Sequence, residues 1–169
     1  LDYRLTFAMH QGKAETNAGT EVKNAANMID GELGYKLPDM MNFRVYVLYH
    51  TDTGSKGGTK DETYNGFFYN KHDNSSLMDI IDWGNLTYIN AGITLSPMEN
   101  TNVGLHYWMF TRTEKGTGSP DVRSSFMTKD GTSPWAKGAN IDEDDIGSEM
   151  SLVADHNYDG NFNIMARVS

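Results

Sequence analysis

The sequence contains no cysteine, and this absence removes several classes of site. Without a thiol the chain can have no disulfide framework, no zinc–thiolate centre and no cysteine nucleophile. No stretch approaches the roughly 18 consecutive apolar residues that a transmembrane helix needs. Basic residues are also scarce, 14 against 23 acidic ones, and the net charge of −9 argues against nucleic acid as a partner.

Catalytic and metal-binding motifs are missing as well. The five histidines lie far apart, and none stands at a metal-ligand spacing from an acid. The chain has no G-x-S-x-G elbow and no glycine loop that could bind phosphate. We therefore expect no catalytic residue, no metal site and no cofactor. The acidic run at 141–145 is interpreted as a solvated loop, with divalent-ion binding as the open alternative.

What the chain does have is a period-two alternation of apolar and polar residues, which indicates β-strands. Each alternating segment is about ten residues long, the length that a tilted strand needs to cross a bilayer. The apolar face is free of charge in all of these segments, whereas the opposite faces, taken together, carry charges of both signs. The seven predicted strands lie near residues 1–10, 28–37, 41–50, 86–95, 102–111, 145–155 and 162–169.

The last two predicted strands flank a motif that also fits the start of an EF-hand loop. Asp155, Asn157, Asp159 and Gly160 match D-x-N-x-D-G, but the twelfth position is Ala166, where calcium would need a bidentate acid. The flanks alternate with period two, and an Asp-Gly pair favours a hairpin turn. We predict a hairpin here.

The connections between the predicted strands differ in length. Short turns are predicted at 38–40, 96–101 and 157–160, and long polar loops at 11–27, 51–85 and 112–144. Because successive antiparallel strands reverse direction, the turns would gather at one end and the loops at the other. An outer-membrane β-barrel has this arrangement. The sequence therefore predicts an all-β, antiparallel, up-and-down transmembrane barrel, with a soluble barrel or sandwich as the alternative.

Three stretches support this fold by resemblance. The runs "NMIDGELGYKLPDMMNFRVYVLYHTDTG", "HDNSSLMDIIDWGNLTYINAGITLSPMENTNVGLHYWMF" and "DIGSEMSLVADHNYDGNFNIMARVS" resemble consecutive strands and the closing hairpin of alginate-export-type outer-membrane barrels. The resemblance covers nearly the whole chain from about residue 26 onward. It implies porin-like transport in the outer membrane of a Gram-negative bacterium.

The resemblance also implies the C-terminal part of a larger barrel. Seven strands support this view, because bacterial single-chain barrels have even numbers. The start in mid-strand suggests a mature or truncated product. We expect further strands or a second copy of the chain to complete the sheet, since an open edge in lipid leaves backbone groups unpaired.

If the uncharged face meets lipid, the charged face lines a lumen. The residues predicted to line it are Arg4, Lys36, Arg44, Arg112, Arg167, Asp30, Glu32, Glu149 and Asp155. Asp2 and Asp145 are expected on the same face, which gives five basic and six acidic residues. Charges that line a pore set its selectivity, but they could also serve only as ion pairs that keep the interior wet.

Aromatic residues fall on both faces. Tyr3, Tyr35, Tyr49 and Tyr107 are expected in interfacial girdles on the lipid face. Tyr46 and Trp108 lie on the opposite face, where they either pack or stack against sugars.

The sequence thus predicts a channel for passive diffusion of small hydrophilic solutes or oligosaccharides, with outer-membrane lipid as its surroundings. A balanced lumen does not suit a polyanion such as alginate. The alternatives are a non-conducting structural or adhesive barrel, plugged by side chains or by the loop at 51–85, and a soluble ligand-binding barrel.

Overall fold

The computed structural model describes residues 1–15, 19, 21–54, 60–64, 81, 83–114, 144–158, 160 and 162–169. The strands are β1 (Asp2–Glu15), β2 (Glu21–Leu37), β3 (Phe43–Asp52), β4 (Lys60–Asp61), β5 (Leu86–Met98), β6 (Thr101–Arg112), β7 (Asp145–Asn157) and β8 (Asn163–Val168). Within those ranges we find no helix of the length and apolarity needed to cross a membrane. The predicted all-β class is confirmed.

All strands belong to one sheet with the order β1-β2-β3-β5-β6-β7-β8. Each strand on this path runs antiparallel to its neighbours, so the sheet is a series of hairpins. The two-residue β4 lies off the path and pairs in parallel with β2. In the part of the chain described, β1 and β8 each have one neighbour, and the sheet is open, as a part of a barrel would be.

The first hairpin departs from the predicted pattern. Strand β1 continues to Glu15 and β2 begins at Glu21, with unbroken pairing from Asp2–Gly34 to Glu15–Glu21. The predicted loop at 11–27 is therefore wrong, and the connections are not strictly sorted by length. The stretch lacks apolar alternation because polar residues fall on both of its faces, yet its backbone remains paired.

Smaller differences occur at other strand ends. Strand β3 begins at Phe43 rather than at residue 41 because Met41 (φ 55°) and Asn42 (φ 54°) adopt the left-handed conformation of the preceding turn. Strands β5, β6 and β7 lie where alternation predicts them, with no end more than three residues away. The predicted loop at 112–144 and the acidic run fall mostly outside the described residues.

The hairpin prediction for the C-terminal motif agrees with the strand pairing. Strands β7 and β8 pair from Leu152–Val168 to Asn157–Asn163. At the turn, the Asn157 Oδ1 atom accepts a hydrogen bond from the Gly160 N–H at 2.7 Å. Asp159 lies outside the described residues.

The two faces of the sheet have opposite environments. Large apolar side chains on one face, here called the apolar face, are exposed: Tyr3 is 82% exposed, Leu5 74% and Val47 46%. The four predicted girdle tyrosines lie on this face. The other face, here called the polar face, carries the charges and also the buried residues, among them Tyr88 and Phe110. A soluble sandwich would bury its apolar face, and a broad exposed apolar surface marks contact with a partner or a membrane.

Candidate channel wall

An ion-pair ladder crosses β1, β2 and β3 on the polar face. It consists of Asp2, Arg4, Asp30, Glu32 and Arg44. The Arg44 Nη2 atom contacts Asp2 and lies 2.5 Å from the Glu32 Oε1 atom. The Arg4 Nη2 atom lies 3.2 Å from Asp30 Oδ1 and 3.5 Å from Glu32 Oε2. Glu32 therefore bridges both guanidinium groups.

Strand register explains how the ladder forms. Arg4 pairs directly with Glu32, and Asp2 with Gly34, so alternate residues of β1 and β2 share a face. Arg44 enters this face from β3. It reaches Asp2 across Gly34, where a Cβ atom would overlap its guanidinium group. A glycine at position 34 is thus required for the contact.

A second, fully enclosed set of polar groups continues from the ladder. His50 and Asp52 are buried, and the His50 Nε2 atom lies 3.1 Å from the Asp52 Oδ2 atom. The His50 Nδ1 atom lies 3.5 Å from Asp30 Oδ2. The imidazole is stacked between the rings of Trp83 and Tyr88, at 4.6 and 4.7 Å.

His50 and Asp52 were not predicted from the sequence as a pair. The signal was available, because residues two apart on a strand point to the same face. His50 and Asp52 have that spacing within β3. Among the described residues, however, no group of three or more such side chains could hold a metal ion.

Part of the connection between β3 and β5 packs against the polar face. We call residues 60–64, 81 and 83–85 the inner segment. Tyr64 and Ile81 are buried within it, and the Tyr64 ring stacks on His10 of β1 at 4.5 Å. Burial, and then the nearby negative charge of Asp52, raise the pKa of the Tyr64 hydroxyl.

Asp52 fixes the end of the inner segment to the wall. Its Oδ2 atom accepts the Gly84 N–H at 3.0 Å, and its Oδ1 atom accepts the Leu86 N–H at 2.8 Å. Asn85, between them, joins the segment to the end of β6. Its Oδ1 atom accepts the Glu114 N–H at 2.7 Å.

An apolar cluster joins the inner segment to the wall. Its buried members are Leu48, Ile81, Leu86, Tyr88, Trp108 and Phe110. Trp108 is 8% exposed, which supports packing rather than stacking against a sugar. Tyr46 is only partly buried, and its hydroxyl donates to Asn90 Oδ1 at 2.8 Å and lies 2.6 Å from His106 Nδ1.

Glycines alternate with rings along one row of the polar face. Cross-strand pairing sets Gly34 beside Tyr46, Tyr46 beside Gly92, Gly92 beside His106 and His106 beside Ser151. A Cβ atom on Gly92 would lie 2.6 Å from the Tyr46 ring. The glycine therefore lets this ring lie flat against the wall.

The nine residues predicted to line a lumen occupy polar-face positions in the strand register. Four of them, Arg4, Asp30, Glu32 and Arg44, meet in the ladder, and Lys36 pairs in register with Arg44. The other four, Arg112, Glu149, Asp155 and Arg167, lie on β6, β7 and β8, away from the ladder.

Two of these four have clear local partners. The Ser151 hydroxyl donates to Glu149 at 2.8 Å, and the Asn163 side-chain amide donates to Asp155 at 3.0 Å.

Asp145 does not follow the predicted alternation. An irregularity between Phe110 and Thr111 shifts the register, so Asp145 pairs with Thr111, at an apolar-face position, and is exposed. Ile146 packs against the apolar cluster. The expected place of Asp145 on the polar face is therefore wrong.

An open antiparallel sheet with exposed apolar side chains on one face and charges on the other is consistent with part of a β-barrel that crosses a membrane. The chain belongs to the alginate-export family: the family's model, described as alginate export, matches residues 1–169. This is a family of transport barrels of the outer membrane. No curated protein and no solved structure matches the chain.

Proposed function

We propose that the chain forms part of the wall of an outer-membrane channel through which small hydrophilic solutes or oligosaccharides diffuse passively. The observation that carries this proposal is the opposite environment of the two faces. Exposed side chains such as Leu5, Val47 and Leu105 suit contact with lipid, and the polar face suits contact with water.

The charges of the polar face suit diffusion better than capture of a polyanion. Both ladder arginines, Arg4 and Arg44, are already flanked by two carboxylates each. A conducting pore must bind its solute weakly enough to release it. Paired charges keep the wall wet without offering a strong site to a polyuronate.

We also propose that the nine polar-face charges line the pore and that the apolar face contacts outer-membrane lipid. The open edges at β1 and β8 require further strands, from elsewhere in the protein or from a second copy of the chain.

Recording of the complete protein in planar bilayers under a salt gradient, with and without alginate, tests the channel. Discrete conductance steps that alginate does not block are expected. Absence of steps from a protein that migrates as a folded, heat-modifiable barrel on gels would overturn the proposal, and block by alginate would favour export of the polyanion instead.

The lack of cysteine in this chain allows a sharper test of which face meets water. Thr94→Cys and Ile93→Cys place single thiols on adjacent residues of β5, the first on the polar face and the second on the apolar face. A charged, water-soluble thiol reagent should reduce the conductance of the Thr94→Cys protein and leave that of the Ile93→Cys protein unchanged. The reverse result would place the lumen on the apolar face and overturn the proposed orientation of the sheet.

A second candidate is a non-conducting barrel, and the inner segment favours it. Tyr64, Ile81 and Trp83 pack on the polar face, where they would occupy part of a lumen. In this case the folded protein would give no steps, and variants that release the inner segment would begin to conduct.

A further inference from the structure

We infer that Glu32 keeps the channel from preferring anions, because it neutralises the two arginines of the ladder. This inference rests on the proposed channel function. One carboxylate of the wall would thus determine the ion specificity of the channel. Because alginate is a polyanion, a channel that exports it would be expected to have unpaired positive charge at this place.

Glu32 is the one ladder acid that contacts both Arg4 and Arg44. Asp2 contacts Arg44 alone, and Asp30 contacts Arg4 and the buried His50. Removal of the Glu32 charge therefore takes one of two carboxylate partners from each guanidinium group at once, and leaves Arg4 with Asp30 and Arg44 with Asp2. No other single substitution in the ladder does so.

The local charge balance shows why the loss of this one negative charge matters. Asp2, Asp30 and Glu32 oppose Arg4 and Arg44, and Lys36 stands in register beside Arg44. The described wall at this level thus carries three negative and three positive groups. Loss of one carboxylate leaves a net positive charge, and the sign of the wall charge sets which ions a wide pore prefers.

The positions of the side chains allow them to act on passing ions. The side chains of Glu32 and Arg44 are 20% and 22% exposed, and that of Arg4 is 54% exposed. The pair His50 and Asp52, in contrast, is fully enclosed, so its charge is separated from solvent. The ladder is therefore the part of this wall segment that an ion in the lumen would meet.

The test compares Glu32→Gln with wild type by the reversal potential in a potassium chloride gradient. Glutamine retains the size of the side chain and can still accept a hydrogen bond from either arginine. We expect the reversal potential to move toward the anion equilibrium potential. Arg44→Gln should move it in the opposite direction, because it leaves the ladder carboxylates in excess.

Glu21→Gln is the matched control. Glu21 forms an exposed ion pair with Lys13 at 3.0 Å, at the far end of the same hairpin and away from the ladder. The same chemical change there should leave the reversal potential at the wild-type value.

An unchanged reversal potential in Glu32→Gln channels that still open in discrete steps would overturn the inference and leave the channel function intact. Shifts of the same sign in Glu32→Gln and Arg44→Gln would also overturn it, since they would indicate a change of structure rather than of charge. If wild type itself gives no steps, the channel function fails, and the inference with it.

Discussion

The carboxylate of Asp52 at the end of β3 accepts the backbone N–H of Leu86, 34 residues further along the chain, at 2.8 Å. The same carboxylate accepts the Gly84 N–H and contacts the His50 ring. This buried side chain thus fixes the end of the inner segment, at Gly84, and the start of β5, at Leu86, to the end of β3. Removal of one partner from such a buried charged network leaves the others unsatisfied.

Asp52→Ala should therefore loosen the Gly84 end of the inner segment, while the pairing of β4 with β2 and the stacking of Tyr64 on His10 remain. We expect the free energy of unfolding to fall by about 3 kcal/mol or more, because His50 loses one of its two carboxylate neighbours and two N–H groups lose this acceptor in a buried site. Urea titration followed by heat-modifiable gel migration measures this loss, and bilayer recording should show a larger unit conductance. Asp39→Ala, in the exposed turn after β2, is the control. Equal stability of the two variants would contradict the role of Asp52.

Gly92→Ala should disturb the aromatic row. The added methyl group would lie 2.6 Å from the Tyr46 ring, so the ring must leave the wall and its hydroxyl must leave Asn90 and His106. We expect the free energy of unfolding, measured by urea titration, to fall by about 1–3 kcal/mol. The conductance should also fall, because the ring enters the lumen. The same change at Gly12, where no atom lies within 4 Å of the added methyl group, should be nearly neutral. An unchanged free energy of unfolding in Gly92→Ala would show that the Tyr46 ring moves without cost and would contradict this prediction.

Val47→Arg tests whether the apolar face meets lipid. Val47 lies mid-strand in β3 and is 46% exposed, so in water the substitution would be tolerated. In a bilayer an arginine near the midplane costs about 2–4 kcal/mol. Folding into lipid vesicles, measured by urea titration, should show this loss for Val47→Arg and little change for Gln11→Arg, which lies beyond the apolar band on β1. Equal losses of unfolding free energy in the two variants would argue against contact of the apolar face with lipid.

Period-two alternation in the sequence is sufficient to predict the strands and the two faces, because each side chain's face depends only on its position along a strand. It failed at residues 11–15 and 21–27, where a paired backbone carries polar residues on both faces. It also failed at Asp145, because the sequence does not reveal the irregular pairing between β6 and β7 that shifts this residue to the other face. Charge on the polar face was predictable, and so was the hairpin after Asn157.

The contacts within the candidate site were not predictable from one sequence. Arg44 meets Asp2 only because register aligns three strands and Gly34 leaves room between them. A lumen filled by the loop at 51–85 was only an alternative in the sequence analysis, and because the inner segment lacks alternation, its residues did not show which of them pack on the polar face. Its anchor is set by Asp52, whose partners are backbone N–H groups that no residue type reveals.

The pairing of sequence neighbours in this sheet has a consequence for the order in which the chain folds. Hairpins close short loops, so β1–β2, β5–β6 and β7–β8 can each form early and independently. The inner segment is different, because its contacts need β1, β2, β3 and β5 to be in place. We expect it to dock last, so a wide, unobstructed intermediate should precede the native state during refolding into lipid.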